Sequence, residues 1–130
     1  MTAQFVIGID LGTTNCVLAY TPLDSEEPEV KLLPIPQLVA PSTVESRDSL
    51  PSFTYLANPS ETDGGLYDLS DTKGRDFAVG EVARKQSAEM PERTVGAAKS
   101  WLSHSRVDRH QAILPWKAPE DVPKISPVMA

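Results

Sequence analysis

Two short apolar runs separated by a polar turn open the chain. Residues 5–9 are rich in β-branched side chains and carry no charge, and residues 16–20 form a second apolar run. Each run has the length and composition of a buried strand. The polar residues 10–15 between them are too few for a crossover helix. The pattern therefore predicts an antiparallel hairpin with this turn at its tip.

Three further strands are predicted after the hairpin, at residues 30–33, 50–56 and 77–79. Residues 35–49 are interrupted by prolines and predict a boundary between a sheet and a second subdomain. Residues 57–76 are rich in Asn, Ser, Asp and Gly, and this composition predicts a long surface loop.

Two helices are predicted in the second half of the chain. The first spans residues 81–89, begins with an acidic residue and is ended by Pro91. The second spans residues 94–103, with Thr94 as its N-cap and an apolar face at helical spacing. We expect Trp101 to pack in the core rather than to serve as a ligand platform, because large aromatic side chains dominate packing.

Charge and composition exclude several classes of protein. The 130 residues suffice for one domain at most, and 18 acidic against 12 basic side chains give a net charge of −6. This balance argues against a broad nucleic-acid or anionic-membrane surface. The single cysteine excludes an intrachain disulfide and a cysteine-based metal cluster. No apolar run approaches the roughly 20 residues of a membrane span, and we expect a cytoplasmic protein without membrane partners.

The turn between the first two strands has the chemistry of a phosphate site. Gly12 allows close approach of a ligand to the backbone. Successive N–H groups from Gly12 to Asn15, with the hydroxyls of Thr13 and Thr14, are predicted to form an anion-binding cradle. Asp10 would repel a phosphate unless Mg²⁺ or its bound water lies between them. The pattern predicts a nucleotide polyphosphate carried with its metal. The alternative is that these residues simply form a hairpin turn.

The string IGIDLGTTN at residues 7–15 resembles the first phosphate-binding segment of DnaK-like heat-shock chaperones, which belong to the actin, hexokinase and sugar-kinase superfamily of ATPases. The resemblance implies an α/β chain with part of a ribonuclease H-like, actin-like ATPase fold. It implies ATP or ADP with Mg²⁺ as ligands. It places Gly12, Thr13, Thr14 and Asn15 on the phosphates and Asp10 near hydrated Mg²⁺.

A second segment, residues 79–99, resembles the same family in the order of several residues. The resemblance implies that Arg84, where the family has a lysine, is a catalytic residue that points from an overhanging subdomain into the nucleotide cleft and positions the γ-phosphate and the attacking water. Arginine keeps the charge, but its planar fork does not replace a compact ammonium. The alternative is that Arg84 and Lys85 form a solvated basic pair on an exposed helix. The chain looks most similar to a bacterial branch of the family distinct from the housekeeping chaperones.

The resemblance also implies a domain organisation. Residues 1–36 would supply the first three strands of the ATPase core sheet with the phosphate loop. Residues 37–115 would form the peripheral subdomain over the cleft, and residues 116–130 a connection and the start of a further helix. The chain would then be the amino-terminal part of a longer nucleotide-binding domain. One sheet edge would lack its partner, and we expect that this edge could let the fragment dimerise.

The implied function is that of a molecular chaperone ATPase that couples ATP hydrolysis to protein folding, with unfolded polypeptides and co-chaperones as partners of the full-length protein. The fragment itself is expected to be inactive, because the family's second phosphate loop and adenosine pocket are not among its residues. Two alternatives remain open at this point. One is a small-molecule kinase of the same superfamily, and the other is a nucleotide-sensing module in which Arg84 marks lost hydrolysis.

Overall fold

A computed structural model describes residues 2–130 as a small α/β protein with several antiparallel sheets and few helices. Its strands are β1 (Phe5–Leu11), β2 (Asn15–Pro22), β3 (Lys31–Leu32), β4 (Ile35–Ala40), β5 (Thr43–Arg47), β6 (Leu50–Pro51), β7 (Phe53–Leu56), β8 (Phe77–Val79) and β9 (Thr94–Gly96).

The helices are short. They are α1 (Pro59–Asp63), α2 (Glu81–Glu89) and α3 (Ala98–Leu102), with a 3₁₀ helix at Pro91–Arg93. Among the described residues, none of these helices has the length and apolar character needed to cross a membrane.

The hairpin predicted at the start of the chain is confirmed. Strands β1 and β2 are antiparallel, in a register that runs from Phe5 opposite Pro22 to Leu11 opposite Cys16. Strand β3 pairs with β2 and is shorter than the predicted residues 30–33. Strand β6 also pairs with β2, close to the turn, so that the chain returns to the hairpin just before β7 begins.

Strand β1 is exposed, and the prediction that it would be buried is wrong for this chain. It lies at the edge of its sheet, in the order β1-β2-β3, and carries apolar side chains on both faces. Phe5 is 49% exposed and Ile9 66%. A strand of this composition is typical of a sheet interior, but β1 pairs with β2 alone among the described strands. Dimerisation through this edge stays a prediction.

The core lies in the other half of the molecule, where α2 packs on the sheet of order β8-β7-β9. Its buried members come from several elements and from the segment after α1: Leu38, Tyr55, Ala57, Tyr67, Ala78, Val82 and Ala83. Burying one large apolar side chain stabilises a fold by roughly 1.5–3 kcal/mol. This unit is therefore expected to supply most of the stability. The predicted strand at 77–79 and helix at 81–89 are confirmed.

Within residues 35–49, strands β4 and β5 form a hairpin that the proline pattern does not predict, and the subdomain boundary expected there stays a prediction. Strands β4 and β5 pair from Ile35 opposite Arg47 to Ala40 opposite Thr43. Pro36 lies within β4. A proline is tolerated there because a two-stranded sheet leaves one edge of each strand unpaired. The buried Gln37 side chain joins this hairpin to α2, since its Oε1 accepts from the Glu81 N–H at 3.0 Å and its Nε2 donates to the Ser49 carbonyl.

Residues 57–76 were predicted to be a surface loop, and this is wrong for two parts of the segment. Helix α1 begins at Pro59 with Asn58 as its N-cap, and Asn58 and Glu61 form a capping box. Tyr67 is fully buried. Its hydroxyl donates to Glu61 Oε1 at 3.1 Å, and the Tyr55 hydroxyl donates to Glu61 Oε2 at 2.8 Å.

The predicted helix at residues 94–103 begins later than expected, and Thr94 is not its N-cap. Residues Thr94–Gly96 form β9, which pairs with β7, so tertiary pairing overrides the local helical pattern. Ala97 has a left-handed backbone conformation, with φ of 53°, and α3 follows it. Trp101 is only partly buried and stacks on Trp116, with ring centroids 5.2 Å apart.

Candidate phosphate-binding turn

The turn between β1 and β2 is closed by a hydrogen bond from the Gly12 N–H to the Asn15 carbonyl, at 3.0 Å. A Cβ at position 12 would lie only 2.3 Å from that oxygen. Glycine is therefore required for this closure. The same bond uses the Gly12 N–H internally, so the predicted cradle of four successive amides loses one of its donors.

Ser52 holds the turn from one side. Its Oγ donates to the Gly12 carbonyl and its backbone N–H donates to the Thr14 carbonyl, both at 2.8 Å. In a trans peptide the N–H points away from the C=O of the same unit. The N–H groups of Thr13 and Asn15 therefore point away from Ser52. Ser52 thus orients two of the predicted donors toward the same side.

Thr13 and Thr14 lie at the tip of the turn and are exposed. Within residues 2–130, neither their backbone N–H groups nor their hydroxyls form a hydrogen bond. Donors of this kind are available to an incoming anion without the loss of a hydrogen bond within the protein. The amide and hydroxyl donors of these two threonines are the chemical feature of the turn that suits a phosphate.

Asp10 lies on β1 opposite Val17, two residues before the turn glycine, and is exposed. Across the described part of the chain, no three His, Cys, Asp or Glu side chains come together as a metal site. Magnesium is commonly held by one or two carboxylates together with substrate phosphates. The donor set at Asp10 fits a metal that arrives with a polyphosphate and does not fit a cage built from the protein alone.

Arg84 lies on α2 and is paired with Glu81 one turn before it. Its Nε donates to Glu81 Oε2 at 3.1 Å and its Nη2 donates to Glu81 Oε1 at 2.7 Å. The hydrogen bond from Arg84 lowers the pKa of the Glu81 carboxyl, and the same contact raises the pKa of Arg84. In the described chain, no hydrogen bond or ion pair joins Arg84 to residues 10–15. Its predicted role toward the γ-phosphate stays a prediction.

Lys85 and Arg84 are neighbours on α2, but their side chains contact different groups. The Lys85 ammonium donates to the Val39 carbonyl at 2.8 Å, so this side chain reaches across to the β4–β5 hairpin. It also lies 4.0 Å from Glu81. The two neighbouring cations therefore have different main partners.

Two residues near the turn were not singled out as site residues from the sequence. Ser52 is one, and Lys99 on α3 is the other: its Nζ donates to the Leu11 carbonyl at 2.8 Å across 88 residues of sequence. Both line a cavity of about 430 Å³ beside the turn, together with Gly12. No local pattern could have found these contacts, because both depend on tertiary packing. The one sequence signal applies to Lys99, which lies inside the residues 79–99 whose resemblance to the chaperone family is described above.

No protein-family model matches this chain, and no solved structure matches it. The interpretation of the turn therefore depends on the resemblance of residues 7–15 and on the geometry of their contacts.

Proposed function

We propose that the chain is the amino-terminal part of the nucleotide-binding domain of a DnaK-like chaperone ATPase, with part of the actin-like fold of that superfamily. The turn at residues 12–15 would bind the phosphates of ATP or ADP carried with Mg²⁺. One observation supports this proposal above the others. The donors of Thr13 and Thr14 are exposed and without protein partners, on a glycine turn held by Ser52 and close in sequence to Asp10.

The threonine donors would hold phosphate oxygens, and Asp10 would accept hydrogen bonds from water on the metal. The metal, when bound, would neutralise phosphate charge. In the longer protein the expected reaction is hydrolysis of ATP, driven by positioning and electrostatics rather than by a covalent intermediate. Coupling of that hydrolysis to the folding of other polypeptides is part of the same proposal.

Arg84 would have to leave Glu81 before it could contact a phosphate. An exposed ion pair of this kind is worth about 0–1 kcal/mol, so the exchange of a carboxylate for a phosphate is energetically accessible. The paired state of Arg84 also favours a second candidate function, a nucleotide-sensing module that binds without hydrolysis. Binding of Mg-ATP by the longer protein without turnover would support this second candidate.

Titration of the ¹⁵N-labelled chain with Mg-ATP tests the binding site directly. We expect amide shifts at Thr13, Thr14 and Asn15, and smaller shifts with AMP, which has a single phosphate. Replacing both turn threonines by valine should weaken binding by about tenfold or more, as expected for lost hydrogen bonds to a charged ligand. Thr43→Val, at another exposed threonine, is the matched control. Shifts confined to residues outside the turn would contradict the proposal.

We expect the 130-residue chain alone to have negligible ATPase activity, because the proposed site supplies one phosphate loop and hydrolysis is expected to require more of the nucleotide site than this turn. A colorimetric phosphate-release assay with purified protein measures this. Turnover above background that disappears in Asp10→Asn would show that the chain carries a complete catalytic site, contrary to this expectation.

A further inference from the structure

A positive charge lies at the base of the phosphate-binding turn. The Lys99 ammonium donates to the carbonyl of Leu11, the residue directly before Gly12. Consecutive Cα atoms are about 3.8 Å apart, so the Cα atoms of Leu11 and Thr13 can be separated by at most about 7.6 Å. The Lys99 ammonium is therefore held close in sequence to the threonine donors. Rotation of its flexible side chain could carry it from the Leu11 carbonyl to a ligand on those donors.

The charge of Lys99 is not neutralised by a carboxylate. Its hydrogen-bond partner is a neutral carbonyl, and no ion pair among residues 2–130 includes it. Among the described residues, Lys99 is the only charged side chain that lines the 430 Å³ cavity beside the turn; Thr13 and Thr14 do not line it, and its other lining side chains are mostly apolar.

Arg84 differs in this respect. Two of its nitrogens are engaged by both oxygens of Glu81, so its charge is already balanced. Moving Lys99 from the Leu11 carbonyl to a phosphate exchanges a neutral acceptor for an anionic one, and the exposed carbonyl can then be hydrated. Hydrogen bonds between charged partners are stronger than those with one neutral partner. The lysine is therefore the better placed of the two cations.

We propose that Lys99 is the cation that contacts the phosphates of the magnesium-bound nucleotide at this turn. The inference rests on the proposed function, because it assigns a further binding residue to the same site. A lysine suits this role as a compact point charge on a flexible stem, which can follow a mobile polyphosphate tail. The ligand class is a di- or triphosphate with its metal, and the base and sugar are not needed for the contact.

The test uses magnesium pyrophosphate as the probe and the amide signals of Thr13 and Thr14 as the readout, in the whole 130-residue chain. We expect Lys99→Gln to weaken binding by about tenfold, the scale of one hydrogen bond between charged groups. Lys99→Arg should retain part of the affinity because it keeps the charge. Lys73→Gln, a change at an exposed lysine paired at 4.0 Å with Asp68, is the control and should leave binding within about twofold.

Arg84→Gln tests the competing assignment. A larger loss of affinity in Arg84→Gln than in Lys99→Gln would overturn the inference, and so would equal affinity in Lys99→Gln and the wild type. A purely structural role for Lys99, tethering α3 to β1, would lower stability in Lys99→Gln but leave the salt dependence of binding unchanged. We expect that salt dependence to decrease. Absence of binding by the wild type would overturn the proposed function together with this inference, whereas wild-type binding that is insensitive to Lys99 overturns the inference alone.

Discussion

The β1–β2 hairpin and the β7 sheet with α2 are both built from apolar strands, yet they differ in burial. Ile9 in β1 is 66% exposed, whereas Tyr55 in β7 is 1% exposed. The difference lies in the neighbours. Strand β7 is paired on both sides and covered by α2, while β1 pairs with β2 alone in the described part of the chain. Local sequence can specify a strand and its turn, but burial requires a partner element that the strand itself does not encode.

The candidate site belongs to the less buried of the two regions. Ligand-binding loops are commonly drawn from the parts of a protein with low local stability. Ser52 lies between β6 and β7, and through its bonds to Gly12 and Thr14 it connects the turn to the better-packed region. The well-packed region is thus expected to position a turn that could not be rigid by itself.

The largest expected difference between the two regions is in how much the free energy of unfolding falls when a large side chain is truncated to alanine. Tyr67→Ala should lower the free energy of unfolding by roughly 3–5 kcal/mol, because it empties a fully buried site. Ile9→Ala, at an exposed site, should cost less than about 1 kcal/mol. Urea unfolding followed by circular dichroism measures both. Equal losses would show that β1 is covered in solution.

Alkaline pH should destabilise the well-packed region. Burial and the nearby Glu61 carboxylate raise the pKa of Tyr67 from 10.0 to about 12, and burial with the bond to Glu61 also raises the pKa of Tyr55. A pKa raised by folding means that stability is complete below pH 10 and is lost as the pH rises through the folded value. For Tyr67 this loss is roughly 3 kcal/mol.

Unfolding measured from pH 8 to pH 12 checks this expectation. Tyr67→Phe removes one of the two tyrosine hydroxyls that bond to Glu61. The free energy of unfolding of this variant should therefore depend less steeply on pH above 10. A stability that stays flat to pH 12 in the wild type would mean that the tyrosine hydroxyls are hydrated rather than buried against Glu61.

Two glycines of the β1–β2 hairpin are expected to differ in their tolerance of alanine, although both lie in the exposed region. Gly12→Ala should disrupt the turn at a cost of about 1–3 kcal/mol, because the new Cβ would overlap the Asn15 carbonyl. Gly8→Ala, where a Cβ would meet no atom within 4 Å, should change stability by no more than about 0.5 kcal/mol. Amide hydrogen exchange in β1 and β2 gives the local stability. Similar exchange in the two variants would argue against the described closure of the turn.

The smallest expected effect concerns the link between the regions. Ser52→Ala removes the bond to the Gly12 carbonyl and should cost about 1 kcal/mol. Exchange of the Gly12 amide should accelerate, since that amide closes the turn. Ser105→Ala, at an exposed serine, is the control and should leave this amide unchanged. Unchanged exchange in Ser52→Ala would show that the turn holds its shape without the better-packed region.

The sequence predicted elements whose signals are local. The hairpin, strand β8 and helix α2 follow from apolar runs, a polar turn and a terminating proline. Helix α1 also has a local signal, since Asn58, Pro59 and Glu61 are typical of an N-cap, first turn and capping box. The polar composition of residues 57–76 nevertheless predicts a loop there. The β4–β5 hairpin has no clear local signal, because prolines interrupt residues 35–49, yet a two-stranded sheet accommodates Pro36 within β4.

The remaining features depend on contacts between distant residues. Thr94 belongs to β9 because β7 lies beside it, and helical spacing alone cannot reveal that neighbour. In the same way, the Asp10–Asn15 turn could be identified from its own residues, but its support by Ser52 and its contact with Lys99 span 40 and 88 residues of sequence. Local chemistry therefore indicates the candidate turn, whereas its contacts with Ser52 and Lys99 can be found only in the folded chain.

Paramagnetic relaxation by Mn²⁺ in place of Mg²⁺ tests the central claim most directly, because it reports both the metal and its location. With ATP and a small amount of Mn²⁺ added to the ¹⁵N-labelled chain, we expect broadening centred on the amides of residues 10–15, weak effects in α2, and loss of the effect in Asp10→Asn. Broadening centred on other residues, or broadening at residues 10–15 that does not depend on ATP, would contradict the claim that this turn receives a metal-bound nucleotide.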